Sequence, residues 1–233
     1  MRYAIISDIH SNLEALTKAL EVIEQHSVDE IICLGDIVGY GANPNECIEL
    51  IQQRCRYVIK GNHDEAILTP ILTQRFTEDA RAAIQWTLQY ITENNIAYLR
   101  SLAFSTTVND LLFVHASPCN PEHWSYILEE ETAKHMFECF SESLCFIGHT
   151  HAPAIFSPDG QADSIVHGKR FLINVGSIGQ PRDQIPDLSF GIFDEMRWTY
   201  ENIRCPHDLD SAIKKILASG LPSRLGHRLA LGL

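Results

Sequence analysis

Tyr3-Ala4-Ile5-Ile6-Ser7-Asp8-Ile9-His10 is an apolar run of strand length that ends in an aspartate and a histidine. Four later apolar runs are also followed by polar side chains: Ile31 to Leu34 by Asp36, Tyr57 to Ile59 by Asn62, Leu111 to Val114 by His115, and Leu144 to Ile147 by His149 and His151. Each run has the length and composition of a buried strand. Loops at the strand ends of an open α/β sheet are the usual place for a ligand site, and carboxylate, imidazole and amide groups suit Mn²⁺, Fe or Zn²⁺. The pattern therefore predicts that these strand ends meet at one two-metal site.

The chain length indicates one domain. With 233 residues, of which 45% are hydrophobic, the chain can build one substantial core and is short for two. We expect a single domain over residues 1–233, in which the C-terminal tail from about residue 220 has no assigned role. No stretch approaches the roughly 18 consecutive apolar residues of a membrane span, so we expect no membrane partner.

The charge balance limits the partners. The formal net charge is −12, whereas a surface that follows a nucleic-acid backbone needs clustered Lys and Arg. We therefore expect no long nucleic acid as partner. Two divalent cations on Asp8 and Asp36 would nevertheless make the site itself positive, so a small phosphate ester or nucleotide substrate is still expected there.

The cysteines indicate a reducing compartment. There are seven of them without a C-x-x-C pair, and Cys33 and Cys145 lie inside apolar runs. We expect reduced, mostly structural thiols, because an odd count without a pairing pattern argues against a disulfide framework and for the cytoplasm. The N-terminus agrees with this, since the apolar run from Met1 to Ile6 is too short for a signal peptide and Asp8 interrupts it.

Local patterns predict two strand-loop-helix units followed by a region rich in strands. Asn12 can cap a helix from Leu13 to about Gln25, and Asn43-Pro44 can begin a helix that ends near Arg54. Further predicted helices are Thr77 to Glu93, Glu130 to Phe140 and Leu209 to Leu217, and further predicted strands are Ser105 to Val108, Leu111 to His115, Ala154 to Ser157, Ile165 to His167, Phe171 to Val175, Phe190 to Asp194 and Trp198 to Ile203. Parallel units followed by hairpins imply two packed mixed sheets with helices outside.

Five motifs together resemble the calcineurin-like metallophosphoesterase superfamily. They are Asp8-Ile9-His10, Gly35-Asp36, Gly61-Asn62-His63-Asp64, His115 and Gly148-His149-Thr150-His151, and they occur in the family's order. A single D-x-H or H-x-H is common in proteins, so the full series over residues 8–151 carries the resemblance. It implies the family's α/β fold, a four-layer αββα sandwich of two mixed β-sheets flanked by helices.

The resemblance also implies which residues bind the two metal ions. One ion is expected on Asp8, His10, Asp36 and His151, and the second on Asp36, Asn62, His115 and His149. A carboxylate that binds both ions holds them about 3.5–4 Å apart, where they share one water that becomes a hydroxide nucleophile. Mn²⁺ is the expected metal, with Fe, Zn²⁺, Ni²⁺ or Co²⁺ as alternatives. Because residues two apart in an extended segment point the same way, each D-x-H or H-x-H pair can face the cleft.

The candidate catalytic residue is His63, which in the family acts as general acid and protonates the leaving oxygen. An imidazole suits this role because its unperturbed pKa lies near the operating pH. Candidate substrate contacts are Asn62 and Arg182, of which Arg182 is either a phosphate contact or a solvated arginine. His123 either lines the cleft or anchors its loop. Lys60 is either a substrate contact or a solvated charge at a strand end.

The motifs depart from the better-known branches of the family. Gly39 and Tyr40 stand where protein phosphatases carry an aspartate and an arginine, Asp64 replaces a glutamate, and Lys60 replaces another arginine. Two arginines that would bind a phosphomonoester dianion bidentately are therefore missing. The chain looks more like the compact bacterial and archaeal phosphodiesterase-type members.

These observations predict a cytoplasmic metallophosphoesterase. We expect it to hydrolyse a small phosphodiester or nucleotide anhydride by attack of a metal-bridging hydroxide, with His63 as general acid. One alternative is a phosphomonoesterase or phosphoprotein phosphatase. Another is a non-catalytic scaffold that retains the fold, which the complete set of seven ligands plus His63 disfavours. The physiological substrate, the native metal and the oligomeric state stay open.

Overall fold

Eleven strands form two sheets in the computed structural model, which describes residues 1–233. The strands are β1 (Arg2–Ile6), β2 (Glu30–Cys33), β3 (Tyr57–Val58), β4 (Ser105–Val108), β5 (Leu111–Val114), β6 (Leu144–Ile147), β7 (Ala154–Ser157), β8 (Gly160–Gln161), β9 (Phe171–Asn174), β10 (Leu188–Asp194) and β11 (Thr199–Cys205). The first sheet has the order β11-β10-β1-β2-β3 and the second the order β4-β5-β6-β9-β7-β8. β1, β2 and β3 are parallel, as are β5, β6 and β9, and the other pairs are antiparallel. Both sheets are therefore mixed, as predicted.

Eight α-helices and two short 3-10 helices connect the strands. The α-helices are α1 (Leu13–Gln25), α2 (Pro44–Arg54), α3 (Asn62–Leu68), α4 (Glu78–Tyr90), α5 (Glu93–Ser101), α6 (Glu130–Met136), α7 (Leu209–Ala218) and α8 (Ser223–Leu231), and the 3-10 helices are Pro70–Arg75 and Pro121–His123. The Asn12 side chain accepts a hydrogen bond from the main-chain N–H of Ala15 (3.1 Å) and so begins α1 at the predicted position. None of the eight is long and apolar enough to cross a membrane.

The sheets pack face to face, and helices cover their outer faces. In β1, Tyr3 and Ile5 point into an apolar core between the sheets, where they meet Phe146 of β6. The alternate residues Ala4 and Ile6 belong to a second core, which also contains residues of α1 and α2. The outer face of the second sheet packs against α6 in the same manner. Because successive strand residues face opposite sides, this alternation builds the predicted four-layer αββα sandwich.

Three predicted elements differ from the structure. The helix expected from Thr77 to Glu93 is divided into α4 and α5, because the Thr92 hydroxyl caps α5 by accepting a hydrogen bond from the N–H of Asn95 (3.3 Å). The strand expected from Ile165 to His167 is not formed, since β6 and β7 already occupy both edges of β9. The helix expected from Glu130 to Phe140 ends at Met136.

The C-terminal tail forms α8 and packs into the molecule. Leu225 and Leu229 of α8 lie in an apolar core with Ile216 of α7 and Ala83 of α4. Tyr40, in the loop that follows β2, belongs to the same core. The segment after residue 220 therefore contacts one of the loops at the strand ends.

Two of the seven cysteines form a disulfide. Cys119 and Cys139 are bonded, with their Cα atoms 5.3 Å apart, and the other five are free thiols. The expectation of seven reduced thiols is therefore wrong for this pair. The two residues are 20 positions apart in the sequence, and only the fold, which returns the chain through α6 to the loop after β5, brings them together. The cysteine pattern no longer supports the prediction of a reducing compartment.

Candidate metal centre

The parallel pairing of β1 and β2 places the first two carboxylates at the same edge of the sheet. β1 and β2 are in register from Tyr3 opposite Glu30 to Ile6 opposite Cys33. Beyond the strands, the Asp8 N–H donates to the carbonyl of Gly35 (3.0 Å), and the His10 N–H donates to the carbonyl of Asp36 (2.9 Å). These bonds hold the two loops side by side.

The candidate ligands lie on unusual backbone. Asp8, His10, Asp36, His149 and His151 all have positive φ angles, between 49° and 67°. The expectation that each pair faces the cleft because its segment is extended is therefore wrong. The side chains converge by means of left-handed backbone conformations, which are rare for non-glycine residues and cluster at functional sites.

Main-chain carbonyls fix the orientation of three imidazole rings. His10 Nδ1 lies 3.1 Å from the carbonyl oxygen of Val38. His115 Nδ1 lies 2.9 Å from that of Leu34. His151 Nδ1 lies 2.5 Å from that of Gln180. A carbonyl oxygen only accepts, so each Nδ1 carries the proton. In the neutral ring the Nε2 lone pair is then free, which is the arrangement seen in histidines that bind metals.

These Nε2 atoms converge on the two buried carboxylates. The Nε2 atom of His151 lies 3.3 Å from Asp8 Oδ1, and that of His115 lies 3.3 Å from Asp36 Oδ2. His10 Nε2 lies between the carboxylates, 3.8 Å from Asp8 Oδ1 and 3.6 Å from Asp36 Oδ2. Five of the seven predicted ligands, from the loops after β1, β2, β5 and β6, therefore lie at one place.

Two further contacts complete the cluster on the side of His115. Its Nε2 atom lies 3.2 Å from Asn62 Oδ1 and 3.2 Å from His149 Nδ1. We call this set the His/Asp cluster: Asp8, His10, Asp36, Asn62, His63, His115, His149 and His151. Each of its members is at most 7% exposed.

The donor set fits divalent cations. Asp8, His10 and His151 form one group whose ligand atoms lie within 4.8 Å of one another, and Asp36, His115 and His149 form another. Asp8 Oδ1 is fully buried and accepts no hydrogen bond, although a buried carboxylate oxygen without a partner is costly. Carboxylate, imidazole and amide donors of this kind suit Mn²⁺, Fe or Zn²⁺.

The electrostatics of the cluster favour bound positive charge. Burial by itself lowers the pKa of His115, but the carboxylates of Asp36 and Asp8 outweigh it and raise the pKa to about 9. Burial likewise raises the pKa of Asp36, yet the imidazoles of His115 and His63 hold it well below its usual range. The carboxylates therefore stay ionised and attract a cation or a proton.

Asp64 holds two of the loops together. One carboxylate oxygen of Asp64 accepts hydrogen bonds from the N–H groups of Ile37 (2.9 Å) and Val38 (3.2 Å), and the other accepts from Gly61 (3.0 Å). This positioning role was not predicted from the sequence. The available signal was its place directly after Asn62 and His63, at the start of α3, where an acidic side chain can bond free N–H groups.

His63 lies beside the cluster on the first turn of α3. Its N–H donates to Asp36 Oδ1 (2.8 Å), and its ring packs between Tyr40 and Phe76, with ring centroids 4.6 and 4.8 Å away. Burial lowers the pKa of His63 to about 4, although Asp36 partly opposes this. The pKa of His63 therefore lies below the unperturbed value of histidine.

Gly39 provides the space for the His63 ring. A Cβ atom at residue 39 would lie 2.3 Å from His63 Nδ1, and Gly39 has a φ of +94°. The imidazole therefore fills the space at this position, which is not open to a second ester arm of the substrate. His63 Nδ1 is buried and has no hydrogen-bond partner.

A cavity of about 400 Å³ opens next to the cluster. Asn62, His63 and His149 form its inner end. Among the other side chains that line the cavity, six are called the cavity wall: Arg75, Glu122, His123, Trp124, Tyr126 and Arg228. A shallower hollow of about 600 Å³ lies at the amino end of β2 and contains none of the predicted site residues.

The structure also places the residues whose roles were left open. Arg182 lines the cavity and donates from a terminal nitrogen to Tyr40 Oη (3.3 Å). His123 lines the cavity as well. Lys60 does not, because it is buried and its Nζ atom forms an ion pair with Glu65 (3.0 Å).

The αββα sandwich and its buried His/Asp cluster agree with the family that the sequence motifs resemble. The chain belongs to the calcineurin-like phosphoesterase superfamily, whose domain model matches residues 1–197. It is 40% identical over 242 residues to an uncharacterized protein of Methanocaldococcus jannaschii, an alignment that covers 98% of this chain and 97% of the relative.

Solved structures agree with this assignment. A metallophosphoesterase from Sphaerobacter thermophilus superimposes with a TM-score of 0.91 at 35% identity, and the match covers 100% of this chain and 99% of that one. A hypothetical protein from Pyrococcus horikoshii OT3 gives a TM-score of 0.84 at 20% identity, over 100% and 98% of the two chains. The second likeness shows the fold alone.

Proposed function

We propose that this protein is a dinuclear metal-dependent phosphodiesterase that acts on a small phosphodiester or nucleotide anhydride. The observation that carries the proposal is the position of Asp36 between the two ligand groups, 3.6 Å from His10 Nε2 and 3.3 Å from His115 Nε2, beside a cavity large enough for such a substrate. One ion would be held by Asp8, His10, Asp36 and His151 and the other by Asp36, Asn62, His115 and His149, with Mn²⁺ as the expected metal. Two cations supply Lewis-acid activation of a water molecule and neutralise the charge of the bound phosphate.

The protein's own residues orient the substrate and exclude water. Asn62 and His149 place polar atoms at the inner end of the cavity, where the reacting phosphate is bound. Arg182 lies on the same cavity, and its main-chain N–H donates to the carbonyl of His151 (3.2 Å). Its guanidinium therefore stands next to the cluster and contributes a phosphate contact.

His63 is proposed as the general acid. Its ring lies beside Asp36 and faces the cavity, so it reaches the oxygen of a leaving group on a phosphate held at the inner end. A phosphate anion bound there favours the protonated imidazole, which opposes the lowering of the His63 pKa by burial. The ring then donates its proton to the leaving oxygen.

Diester preference follows from what the cluster lacks. Gly39 and Tyr40 supply no carboxylate or arginine beside the cluster, and Lys60 is occupied by Glu65. A monoester dianion gains most from bidentate arginines, whereas a diester carries one negative charge that two cations and Arg182 can balance.

The proposal is tested with one pair of substrates. Metal-stripped protein reconstituted with Mn²⁺ should hydrolyse bis-p-nitrophenyl phosphate with a higher kcat/KM than p-nitrophenyl phosphate. A monoester preference of about tenfold or more, equivalent to about 1.4 kcal/mol, would favour the phosphomonoesterase alternative. The absence of hydrolysis of either ester with Mn²⁺, Fe²⁺, Zn²⁺, Ni²⁺ or Co²⁺ would favour a scaffold.

A further inference from the structure

The cavity contains more positive charge than the proposed reaction uses. Arg75, Arg182 and Arg228 line it together, and they come from a 3-10 helix, a loop and α8. The arginines that form ion pairs in this protein are others: Arg54, Arg56, Arg197, Arg204 and Arg224. Three guanidinium groups therefore face one cavity, and none of them forms an ion pair with an Asp or Glu side chain.

Arg228 is held in place near Arg182. Its Nε atom donates to the main-chain oxygen of Leu233 (3.0 Å), which leaves its two terminal nitrogens for other partners. The end of α8 is tied to the Arg182 loop because the N–H of Gln184 donates to the carbonyl of Gly232 (2.9 Å). Burial and the neighbouring Arg182 guanidinium lower the pKa of Arg228. Two like charges are thus kept close together, and a bound anion reduces the repulsion between them.

Nearby acidic groups do not neutralise this charge. Glu122 lines the same cavity, but it is exposed on its 3-10 helix and forms no ion pair with an arginine. Asp79, the other acid near Arg228, forms an ion pair with Arg224 (2.9 Å). The cavity therefore retains a net positive wall within a chain whose net charge is −12.

We propose that Arg228, assisted by Arg75 at the cavity mouth, binds a second anionic group of the substrate, a phosphate that is not cleaved. The proposal rests on the proposed function, in which the inner end of the cavity and Arg182 hold the reacting phosphate. It extends that function, because Arg228 lies beyond residues 1–197, which the family domain matches. Substrates with a single phosphate use only the inner end, and those with two phosphates also reach α8.

The test compares inhibitors that differ by one phosphate. Hydrolysis of bis-p-nitrophenyl phosphate by the Mn²⁺-loaded protein is inhibited with AMP, ADP and adenosine 3′,5′-bisphosphate. For the wild type we expect the Ki of ADP or of the bisphosphate to be at least about tenfold below that of AMP, the size of one charge-assisted hydrogen-bonded contact. If only ADP shows this advantage, the second phosphate that binds is linked through an anhydride. If only the bisphosphate shows it, the second phosphate is a separate ester.

Variants locate the effect. The quantity compared is the Ki of AMP divided by the lower of the Ki values of ADP and the bisphosphate. In Arg228→Gln this ratio should fall close to one. Arg228→Lys should retain part of the wild-type ratio. The control Arg197→Gln removes an exposed arginine outside the cavity, and it should keep the wild-type ratio. A ratio near one in the wild type, or an unchanged ratio in Arg228→Gln, overturns the inference about Arg228. The proposed function is tested separately, because it stands as long as the protein hydrolyses the diester.

Discussion

The His/Asp cluster and the cavity wall are adjacent, yet they are built in opposite ways. Every residue of the cluster is almost fully buried, whereas Tyr126 in the wall is 51% exposed. Cluster side chains are fixed by main-chain groups, such as the Leu34 carbonyl that accepts from His115 Nδ1. Wall side chains stand on 3-10 helices, a loop and α8, and they make few fixed contacts. Rigid geometry suits the chemistry of a metal centre, and a looser wall suits the choice of substrate.

The comparison predicts different consequences for mutations in the two regions. A change in the cluster should affect all substrates, because each of them must bind the same reacting phosphate at the same place. A change in the wall should affect some substrates and leave the metal content unaltered. The expected effect is largest in the cluster and smallest in the wall.

The largest effect is expected for Asp36→Asn. Asp36 Oδ2 lies 3.6 Å from His10 Nε2 and 3.3 Å from His115 Nε2, and because we propose that it binds both ions, loss of its charge should weaken both metal sites at once. Activity should fall below detection on every substrate, and metal content measured by mass spectrometry should decrease. The exposed Asp163→Asn is a suitable control, since it removes an equal charge far from the cluster. Wild-type turnover at normal metal loading in Asp36→Asn would rule out the bridging role.

Replacement of His63 should have a smaller effect that depends on the leaving group. We expect His63→Ala to lose about 10²–10⁴-fold in kcat on a nucleoside ester, where a poor leaving group needs a proton. The loss should be clearly smaller on a p-nitrophenyl ester, which leaves readily without one. Equal losses on both esters would show that His63 positions the phosphate and does not protonate the leaving oxygen.

Gly39→Ala tests whether the position of His63 matters. The added Cβ atom would meet His63 Nδ1 at 2.3 Å, and displacement of a catalytic group by about 1 Å costs up to about 10²-fold in rate. Gly168→Ala is a matched control, because Gly168 also has a positive φ (+80°) but no atom within 4 Å of the added Cβ. If the two variants lose activity equally, backbone strain and not the contact with His63 explains the loss.

The smallest effect on activity is expected for the disulfide next to the wall. Cys119 and Cys139 anchor the segment that carries His123, Trp124 and Tyr126. Replacing both cysteines with serine should lower the free energy of unfolding by about 3 kcal/mol, as expected for a loop of this length. The KM should rise while the metal content stays constant. A urea midpoint equal to that of the wild type would show that the bond does not stabilise the fold.

The sequence predicted the cluster better than the wall. Asp8, Asp36 and His115 could be found because each follows an apolar run, and strand ends are brought together by parallel pairing, which follows simple rules. Their left-handed backbone could not be predicted, since it depends on hydrogen bonds between loops far apart in the chain, such as that from Asp8 to Gly35.

The wall depends on tertiary packing that leaves no local pattern. Arg228 reaches the cavity only because α8 packs against Tyr40 through Leu225 and Leu229, and in the sequence it is one arginine among several in a tail without motifs. The pairing of Cys119 with Cys139 was missed for the same reason. The sequence patterns thus located the chemistry, and the fold was needed to show which side chains surround the substrate.

The central claim is that two metal ions on the His/Asp cluster are required for hydrolysis of a phosphodiester. The most direct measurement is a titration of metal-stripped protein with Mn²⁺, in which bound metal and the hydrolysis of bis-p-nitrophenyl phosphate are followed in the same samples. We predict that two ions bind per chain and that activity appears only as the second one binds. Full activity with a single ion per chain, or activity in the stripped protein, would contradict the account.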